Sequence, residues 1–464
     1  MSLPDNRGAD GLRPPGHFVR RGLHFLGVDR AIAYVIVGRA WAILAGPLSL
    51  FFIARHLSVG EQGFYYTFNS VLGLQIFFDL GVSFVLLQRS SHESARLRWT
   101  AEGLLAGDDA STIRIASLLR KGLGWYAVVA VLVITIIAPL GMQFFARNAS
   151  AVDSWRAAWT FLVVASAANL LISPIFSVLE GCGLVPQIAL LRLTQGIASN
   201  LVLWLALSSG LALMALPLMS AATLVAGIGW LVATKRQFLK HMFFSISQRS
   251  TAAVNWWTEI WPFQWRIAVS WLSGYFIFQL FNPILFVYRG AEAAGRMGMS
   301  ITIISSISVT AIAWLTTKAP AFGRLVAVRG FQELDAIFFR TLWQSLAAII
   351  AAGGSFWVVT FYLWSSGHRL SERLLEPLPL AFLVGTYVLN QVIVAQAVYL
   401  RAHLQEPFLG ISVVTAILMA VSTYVLGKRF GATGMTAGGF VITLAVGLGG
   451  GSWVFNQKRR EWHR

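Results

Sequence analysis

The chain contains 464 residues, of which 56% are hydrophobic and only 12% are charged, and its mean hydropathy is +0.67. An ordinary soluble domain carries about 25% charged residues, so this composition predicts a polytopic membrane protein. The net charge of +17 does not indicate nucleic-acid binding, because the basic residues are scattered between apolar segments. The single cysteine, Cys182, excludes an intramolecular disulfide and a CxxC metal or redox motif.

Residues 1–30 are polar, rich in Gly, Pro and Arg, and lack the apolar core of a cleavable signal, so we expect a cytoplasmic tail. Beyond them, windows of about 20 apolar residues predict twelve transmembrane helices. The predicted spans are 31–54, 64–87, 121–145, 157–179, 186–208, 211–234, 266–288, 297–317, 341–364, 378–400, 409–427 and 433–455. The expected fold is therefore all-α, with an N-lobe at 31–234, a cytoplasmic and interfacial linker at 235–265, a C-lobe at 266–455 and a second tail at 456–464.

The loops predict the orientation of these spans. About 24 basic residues fall on the side of the two tails and about nine on the other side. The positive-inside rule therefore places both termini on the cytoplasmic side, and we expect the membrane to be a bacterial inner membrane. The opposite loops are short, the longest running from about Ser365 to Pro377, which argues against a polysaccharide polymerase or glycosyltransferase. A P-loop motif is missing as well, and we expect neither a cofactor nor catalysis.

Polar residues follow one face of the second span, whose stretch "LQIFFDLGVSFVLLQ" contains a lone acidic residue. At 100° per residue, five of them share an arc of about 120°: Tyr65, Asn69, Gln75, Asp79 and Ser83. Similar residues recur in spans seven, eight and ten: Tyr275, Gln279, Asn282, Ser305, Tyr387, Asn390 and Gln391. Each could be an ordinary interhelical hydrogen bond of about 0.6 kcal/mol. Together they predict a polar cavity wall suited to sugars.

Three arginines, Arg39, Arg192 and Arg266, lie within or at the edge of predicted spans. Arg39 and Asp79 are each about eight residues, or roughly 12 Å, from the inner surface on antiparallel neighbouring spans. An unpaired buried charge is costly, so we expect these two to form an ion pair, although Asp79 could instead bind a coupling cation. The three arginines predict a net positive inner cavity that attracts an anionic substrate.

Two further patterns concern the organisation of the chain. The segment "STAAVNWWTEIWPFQWR" places Trp257, Trp261 and Trp265 at i, i+4 and i+8, which predicts an interfacial helix before span seven. Gly63 and Gly295 lie 232 residues apart, half the chain, and each follows an acidic residue, a weak sign of repetition. Six spans per half would give two lobes with the same direction, around a central cavity.

The segments "GRAWAILAGPLSLFFIARHLSVGEQGFYYTFNSVLGLQIFFDLGVSFVLLQRSSHE" and "WPFQWRIAVSWLSGYFIFQLFNPILF" resemble the openings of polysaccharide-biosynthesis membrane proteins in the multidrug, oligosaccharidyl-lipid and polysaccharide (MOP) exporter superfamily. The resemblance implies a MATE-like fold of two six-helix lobes around a cavity that opens alternately to each side. It also implies a flippase that moves a polyprenyl-diphosphate-linked sugar from the inner to the outer leaflet. Membrane lipids and other polysaccharide-assembly proteins are further implied partners, and nucleic acid is not.

In such flippases, cationic cavity residues are thought to engage the lipid diphosphate, and Arg39 matches that role by position. Arg192 and Arg266 are assigned to it only by charge and depth. Drug-exporting members of the superfamily use acidic membrane residues to bind a cation, and Asp79 keeps a cation-coupled multidrug antiporter open as an alternative. A membrane polysaccharide polymerase or glycosyltransferase is the third possibility.

Overall fold

The computed structural model describes residues 30–147, 154–245, 254–403, 405 and 407–462, so the predicted N-terminal tail lies almost wholly outside the described residues. Within them, ten helices are long and apolar enough to cross a membrane, and a bent helix pair makes eleven. The all-α membrane fold predicted from composition is confirmed.

Spans 1–6 make up the N-lobe, and three of them are built from more than one segment. Their bounds are Arg30–His56 for span 1; Val59–Leu72, Gly73–Gln75, Ile76–Asp79 and Val82–Ser94 for span 2; Asp109–Leu132, Val133–Ile137 and Ala138–Ala146 for span 3; Trp155–Gly181 for span 4; Val185–Ser208 for span 5; and Ala212–Met214 with Ala215–Thr234 for span 6.

Spans 7–12 make up the C-lobe. Their bounds are Trp261–Phe278 and Phe281–Arg289 for span 7; Ala291–Thr316 for span 8; Phe331–Ser365 for span 9; Pro377–Arg401 for span 10; and Leu409–Ile442, Thr443–Gly450 and Gly451–Trp462 for spans 11 and 12. Short helical turns at Arg236–Lys240, His241–Ser245, Trp256–Ile260, Ala319–Ala327 and Arg369–Arg373 lie between spans.

Spans 11 and 12 form a helical hairpin. Gly431 has φ 62° and ψ −144°, outside the helical region, and this conformation reverses the chain. On either side of the bend, Gly427 lies against Met435 and Gly438 against Ser422, as in two antiparallel helices. Counting the hairpin as two spans gives twelve in the described part of the chain, as the hydropathy pattern predicts.

Span 2 is broken next to its acidic residue. Leu80 and Gly81 both adopt left-handed conformations, with φ of 50° and 70°, and the helices on either side differ in direction by 48°. Leu80 makes this a costly conformation, because a side chain beyond Cβ crowds the backbone at positive φ. Gly81 also allows close packing, since a Cβ there would lie 2.7 Å from Cγ2 of Ile267 in span 7.

The loop between spans 2 and 3 contains a feature that the all-α prediction omits. The strands β1 (Leu97–Trp99) and β2 (Leu105–Gly107) pair antiparallel, and Leu97 and Leu105 are buried against the N-lobe. Asp108 follows and caps span 3, its carboxylate accepting a hydrogen bond of 2.9 Å from the backbone N–H of Ser111. This hydrogen bond lowers the pKa of Asp108.

Three buried clusters show how the lobes pack. The inter-lobe core combines N-lobe residues such as Phe64 and Phe145 with C-lobe residues such as Phe286 and Met297. The N-lobe core joins the inner parts of spans 2–6 to linker residues such as Val254. The C-lobe core lies among spans 8, 9, 10 and 12, around Phe338 and Tyr399. The lobes are therefore joined in one region and have separate cores elsewhere.

Candidate functional site

The lobes meet through a glycine contact between spans 2 and 8. A Cβ on Gly63 would lie 1.9 Å from the carbonyl oxygen of Ala291, and one on Gly295 would lie 2.9 Å from the backbone nitrogen of Gly63. The two glycines that suggest a repeat in the sequence thus touch each other. We call the end of the bundle that holds this contact the closed end, and the opposite end, which holds the linker, the open end.

A buried amide strengthens the closed end. Gln62 is fully buried, and its Nε2 donates to the carbonyl oxygens of Gly295, at 2.9 Å, and of Arg373, at 3.1 Å. The guanidinium of Arg373 in turn donates to Oε1 of Gln62 at 3.2 Å. Burial lowers the pKa of Arg373, and the hydrogen bond to Gln62 replaces part of its lost hydration. Gln62 therefore connects span 2 to span 8 and to the loop after span 9.

Span 7 continues this contact toward the middle of the bundle. The phenol of Tyr275 donates to the backbone oxygen of Ser70 at 3.2 Å, and Nδ2 of Asn282 donates to the hydroxyl of the same serine at 3.2 Å. Both side chains are buried, and both were predicted to line the cavity wall. The structure instead places them in the interface between spans 2 and 7. Gln279, one turn away, is exposed beside Gly73.

The open end has weaker connections between the lobes. Ile267 of span 7 packs on the N-lobe core, but in residues 30–147, 154–245, 254–403, 405 and 407–462 no buried cluster combines the N-lobe core with the C-lobe core. We call the region between the two lobes toward this end the cleft. Of the predicted wall of span 2, Asn69 is exposed, Gln75, Asp79 and Ser83 are half-buried, and Tyr65 is buried.

Arg39 lies on the face of span 1 that packs in the inter-lobe core nearer the closed end. It shares a stripe of about 60° with Gly46, Leu50 and Ile53, at 100° per residue. At the closed end of that stripe, Leu50 and Ile53 pack in the inter-lobe core, and span 1 contacts span 8. At the open end, Arg39 is exposed. It has no counter-ion among the described residues.

The expected ion pair between Arg39 and Asp79 is wrong. Asp79 instead accepts a hydrogen bond from the phenol of Tyr126 in span 3. The same phenol oxygen lies 2.6 Å from the hydroxyl of Ser83 and accepts the backbone N–H of that residue at 3.1 Å. Span 1 packs against span 5, where Ser49 meets Asn200 and Phe52 stacks on Trp204. Equal depth did not bring the two charges together because the helices that carry them are not neighbours.

Arg192 also has a partner that sequence reasoning missed. Its guanidinium lies 2.6 Å from a carboxylate oxygen of Glu180, at the end of span 4, while its side chain stays 63% exposed. The pair neutralises much of the positive charge that we assigned to Arg192. The side chain of Arg266 lies outside the described residues, so its cavity role remains a prediction.

The predicted polar residues of spans 8 and 10 lie within the C-lobe. Gln391 is buried and bridges two hydroxyls, accepting from Ser308 at 3.0 Å and donating to Ser345 at 2.6 Å. Gln391 therefore lies between spans 8 and 9 in the interior of the C-lobe. Ser305 donates to the backbone of its own helix at Thr302.

Tyr387 and Asn390 border a small cavity enclosed by spans 7, 8, 10, 11 and 12. Most of its lining is apolar, and the remaining polar side chains are Thr386, Thr436 and Thr443. The cavity belongs to the interior of one lobe and not to the cleft between lobes.

The predicted interfacial tryptophans are on the surface. Trp257, Trp261 and Trp265 have exposed fractions of 71%, 37% and 42%. Before them, the linker docks on span 3 through Glu259, which pairs with Arg114. Burial alone would raise the pKa of Glu259, but hydrogen bonds from Arg114 and from the backbone N–H of Asn255 lower it. The linker is thus tied to the N-lobe.

Comparison with known proteins shows the fold. No family model and no curated protein matches the chain. Its solved neighbours are transporters of the MOP superfamily, so the chain has a MATE-like transporter fold.

An inward-facing multidrug resistance MATE family transporter matches with a TM-score of 0.60 and 14% identity, over 89% of this chain and 99% of the other. The lipid II flippase MurJ, in an inward closed conformation, matches with a TM-score of 0.61 and 8% identity, over 91% and 87%. A MOP superfamily transporter from Pyrococcus furiosus, described as having a binding pocket of reverse polarity that suggests a different function, matches with a TM-score of 0.55 and 13% identity, over 94% and 96%.

Proposed function

We propose that this protein is a secondary transporter that flips a lipid-linked oligosaccharide or polysaccharide precursor by alternating access of its two lobes. The observation that carries the proposal is Arg39. It is exposed at the open end of the stripe on span 1 that it shares with Leu50 and Ile53, and no acidic side chain in the described chain pairs with it. A phosphate or diphosphate would supply the missing negative charge.

The engagement of the acidic residues supports an anionic substrate. In the described spans, Asp79 is hydrogen-bonded to Tyr126, Glu180 pairs with Arg192, and Asp335 pairs with Arg459. A substrate cation at any of these three carboxylates would have to displace its partner. A diphosphate needs no such exchange at Arg39, so the electrostatics favour anion capture.

The relatives of similar fold support transport over catalysis. They include a multidrug transporter and a lipid flippase, and one member is described as having a pocket of reversed polarity. Pocket charge is therefore a reasonable discriminator within this fold. A cation-coupled multidrug antiporter is the second candidate, favoured by the half-buried position of Asp79 at the break in span 2.

The direction of opening follows from two arguments. The basic residues predict that the end with the linker faces the cytoplasm. The neighbour with a TM-score of 0.60 is described as inward-facing, and the neighbour with a TM-score of 0.61 as inward closed. We therefore assign the cleft to the cytoplasmic side of a bacterial inner membrane, with both termini inside and a polyprenyl-diphosphate-linked sugar as the substrate.

The test measures flipping of a fluorescent polyprenyl-diphosphate-linked sugar in proteoliposomes, with dithionite used to quench the label in the outer leaflet. We expect Arg39→Ala to reduce the rate at least about tenfold, since a charge-assisted contact is worth about 1.5–3 kcal/mol. Arg39→Lys should retain part of the rate. Arg55→Ala, an exposed charge at the closed end of the same helix, is the matched control.

Flipping by Arg39→Ala at the wild-type rate would overturn the assignment of Arg39. Wild-type protein that exchanges a lipophilic cation for protons or sodium, and leaves the lipid-linked sugar in place, would favour the antiporter. Size-exclusion profiles and thermal midpoints of the variants establish that a lost rate is not a loss of fold.

A further inference from the structure

A deep groove lies on the flank of the molecule, where the linker crosses the N-lobe. Its volume is about 790 Å³. It is lined by Leu80, Lys121, Gly124, Trp125, Val128, Val254, Asn255, Trp256, Trp257 and Trp261. These residues come from the break in span 2, from span 3, from the linker and from the first turn of span 7. The groove thus lies at the seam between the two lobes.

The walls of the groove suit an amphiphile. Four of its side chains are indoles, with Trp125 stacked on Trp256 at 6.0 Å and Trp257 edge-on to Trp261 at 5.7 Å. Val128 continues the lining along span 3, where it and Val131 are 59% and 58% exposed. In a chain that spans a membrane, such an exposed apolar face lies against hydrocarbon chains. Tryptophan-rich surfaces of this kind lie at the headgroup level.

The polar groups of the groove select the charge of its occupant. Among the described residues that line it, Lys121 is the one charged side chain, and its ammonium already donates to the backbone oxygen of Val254, which fixes its position. The described lining therefore presents one positive charge and no acidic side chain. A phosphate oxygen would accept a charge-assisted hydrogen bond from this ammonium.

We propose that this groove binds an anionic phospholipid of the surrounding membrane at the seam between the lobes. The phosphate lies at Lys121, the indole rings lie at the headgroup level, and an acyl chain follows Val128 along span 3. Leu80 places the lipid against the left-handed break in span 2, directly after Asp79. Tyr126, which holds Asp79, follows Trp125 in the chain. A lipid seated here contacts Leu80 and Trp125, which are next to Asp79 and Tyr126 in the chain, and so stabilises the bend.

The test uses native mass spectrometry of the full-length protein in detergent, titrated with phosphatidylglycerol or with phosphatidylcholine of the same acyl chains. We expect the wild type to bind one phosphatidylglycerol in preference to phosphatidylcholine. Lys121→Gln should weaken this binding about fivefold, the effect of roughly 1 kcal/mol per basic residue near a lipid surface. Trp256→Phe keeps an aromatic ring against Trp125 and removes only a buried N–H, so it should keep the preference.

Lys428→Gln is the matched control, because Lys428 is an exposed cation over the ring of Tyr288 at the other end of the molecule. Lys121→Arg keeps the charge and should keep the preference, which protects the test if Lys121→Gln fails to fold. Equal binding of both lipids by the wild type would overturn the proposal. So would an unchanged preference in Lys121→Gln, or binding of polyprenyl phosphate in place of phosphatidylglycerol.

Discussion

The closed and open ends of the bundle are held together by different physical means. At the closed end the backbones of spans 2 and 8 touch at Gly63, Ala291 and Gly295, and a fully buried amide, Gln62, connects three segments. At the open end each lobe keeps a hydrophobic core of its own, and Glu259 of the linker pairs with Arg114 of the N-lobe. The contacts between the lobes are thus concentrated at the closed end, where they can be lost together. Opening of the closed end needs no disruption of either lobe's own core.

The largest expected effect comes from Gly63→Ala. The new methyl group would lie 1.9 Å from the carbonyl oxygen of Ala291, a backbone atom that cannot move without its helix. We expect the closed end to be forced apart, with a longer distance between spin labels at Arg55 and Glu372 in electron-electron resonance. Gly46→Ala is the matched control, because nothing lies within 4 Å of its Cβ position. An unchanged distance in Gly63→Ala would contradict the proposed close packing.

Gln62→Leu should weaken the contact between the lobes at the closed end without a steric conflict. The substitution leaves the carbonyl oxygens of Gly295 and Arg373 without their side-chain donor. A buried polar group left without a partner costs about 1–3 kcal/mol. The spin-label distance distribution should therefore gain a longer component while the thermal midpoint of each lobe changes little. A distribution identical to that of the wild type would show that the glycine contact alone holds this end.

The bend between the two ends depends on Asp79 and Tyr126. Asp79→Asn and Tyr126→Phe each remove part of the same hydrogen-bonded group, which also includes Ser83. We expect a coupling free energy of about 0.5–3 kcal/mol in a double-mutant cycle of unfolding in detergent. The pair Asp79→Asn and Arg39→Gln should give additive effects. A strong coupling between Arg39 and Asp79, with none between Asp79 and Tyr126, would restore the ion pair expected from the sequence.

The smallest effect concerns the linker at the open end. Since the pKa of Glu259 is lowered in the folded protein, its pairing with Arg114 contributes stability above the ordinary pKa of a glutamate. That contribution is lost as the pH falls through the lowered value. We expect hydrogen exchange of residues 254–260 to rise on acidification, and less so in Glu259→Gln. Because the pair is partly exposed, the effect should stay below about 1 kcal/mol. Equal acid dependence in both proteins would exclude this role.

The sequence predicted the fold well because each span carries its own signal. A run of about 20 apolar residues is a local property, and all twelve runs correspond to helices in the structure. The exposure of Trp257, Trp261 and Trp265 could also be predicted, since it depends on the local spacing of the three residues. The break at Leu80 and Gly81 could be suspected only from the glycine, because left-handed leucine has no sequence signature.

The site was harder to predict because it depends on which helices are neighbours. The sequence placed Arg39 and Asp79 at the same depth in the membrane. They do not pair, because span 1 packs against span 5. Periodicity found the polar faces of Asn282 and Gln391 without showing that other spans cover them. Tyr126 and Glu180 were missed, although a lone hydroxyl and a lone carboxylate near the ends of apolar runs could have marked both as partners.

The most direct test of the proposed cleft is thiol accessibility along the stripe of span 1 in a Cys182→Ala background. Single cysteines replace Arg39, Gly46 and Ile53, and a membrane-impermeant maleimide is applied to everted and to right-side-out vesicles. The account predicts fast labelling of position 39 in everted vesicles, slower labelling at 46 and none at 53, where the inter-lobe core is closed. Equal labelling of all three positions, or labelling of position 39 only in right-side-out vesicles, would contradict a cationic cleft that opens toward the cytoplasm.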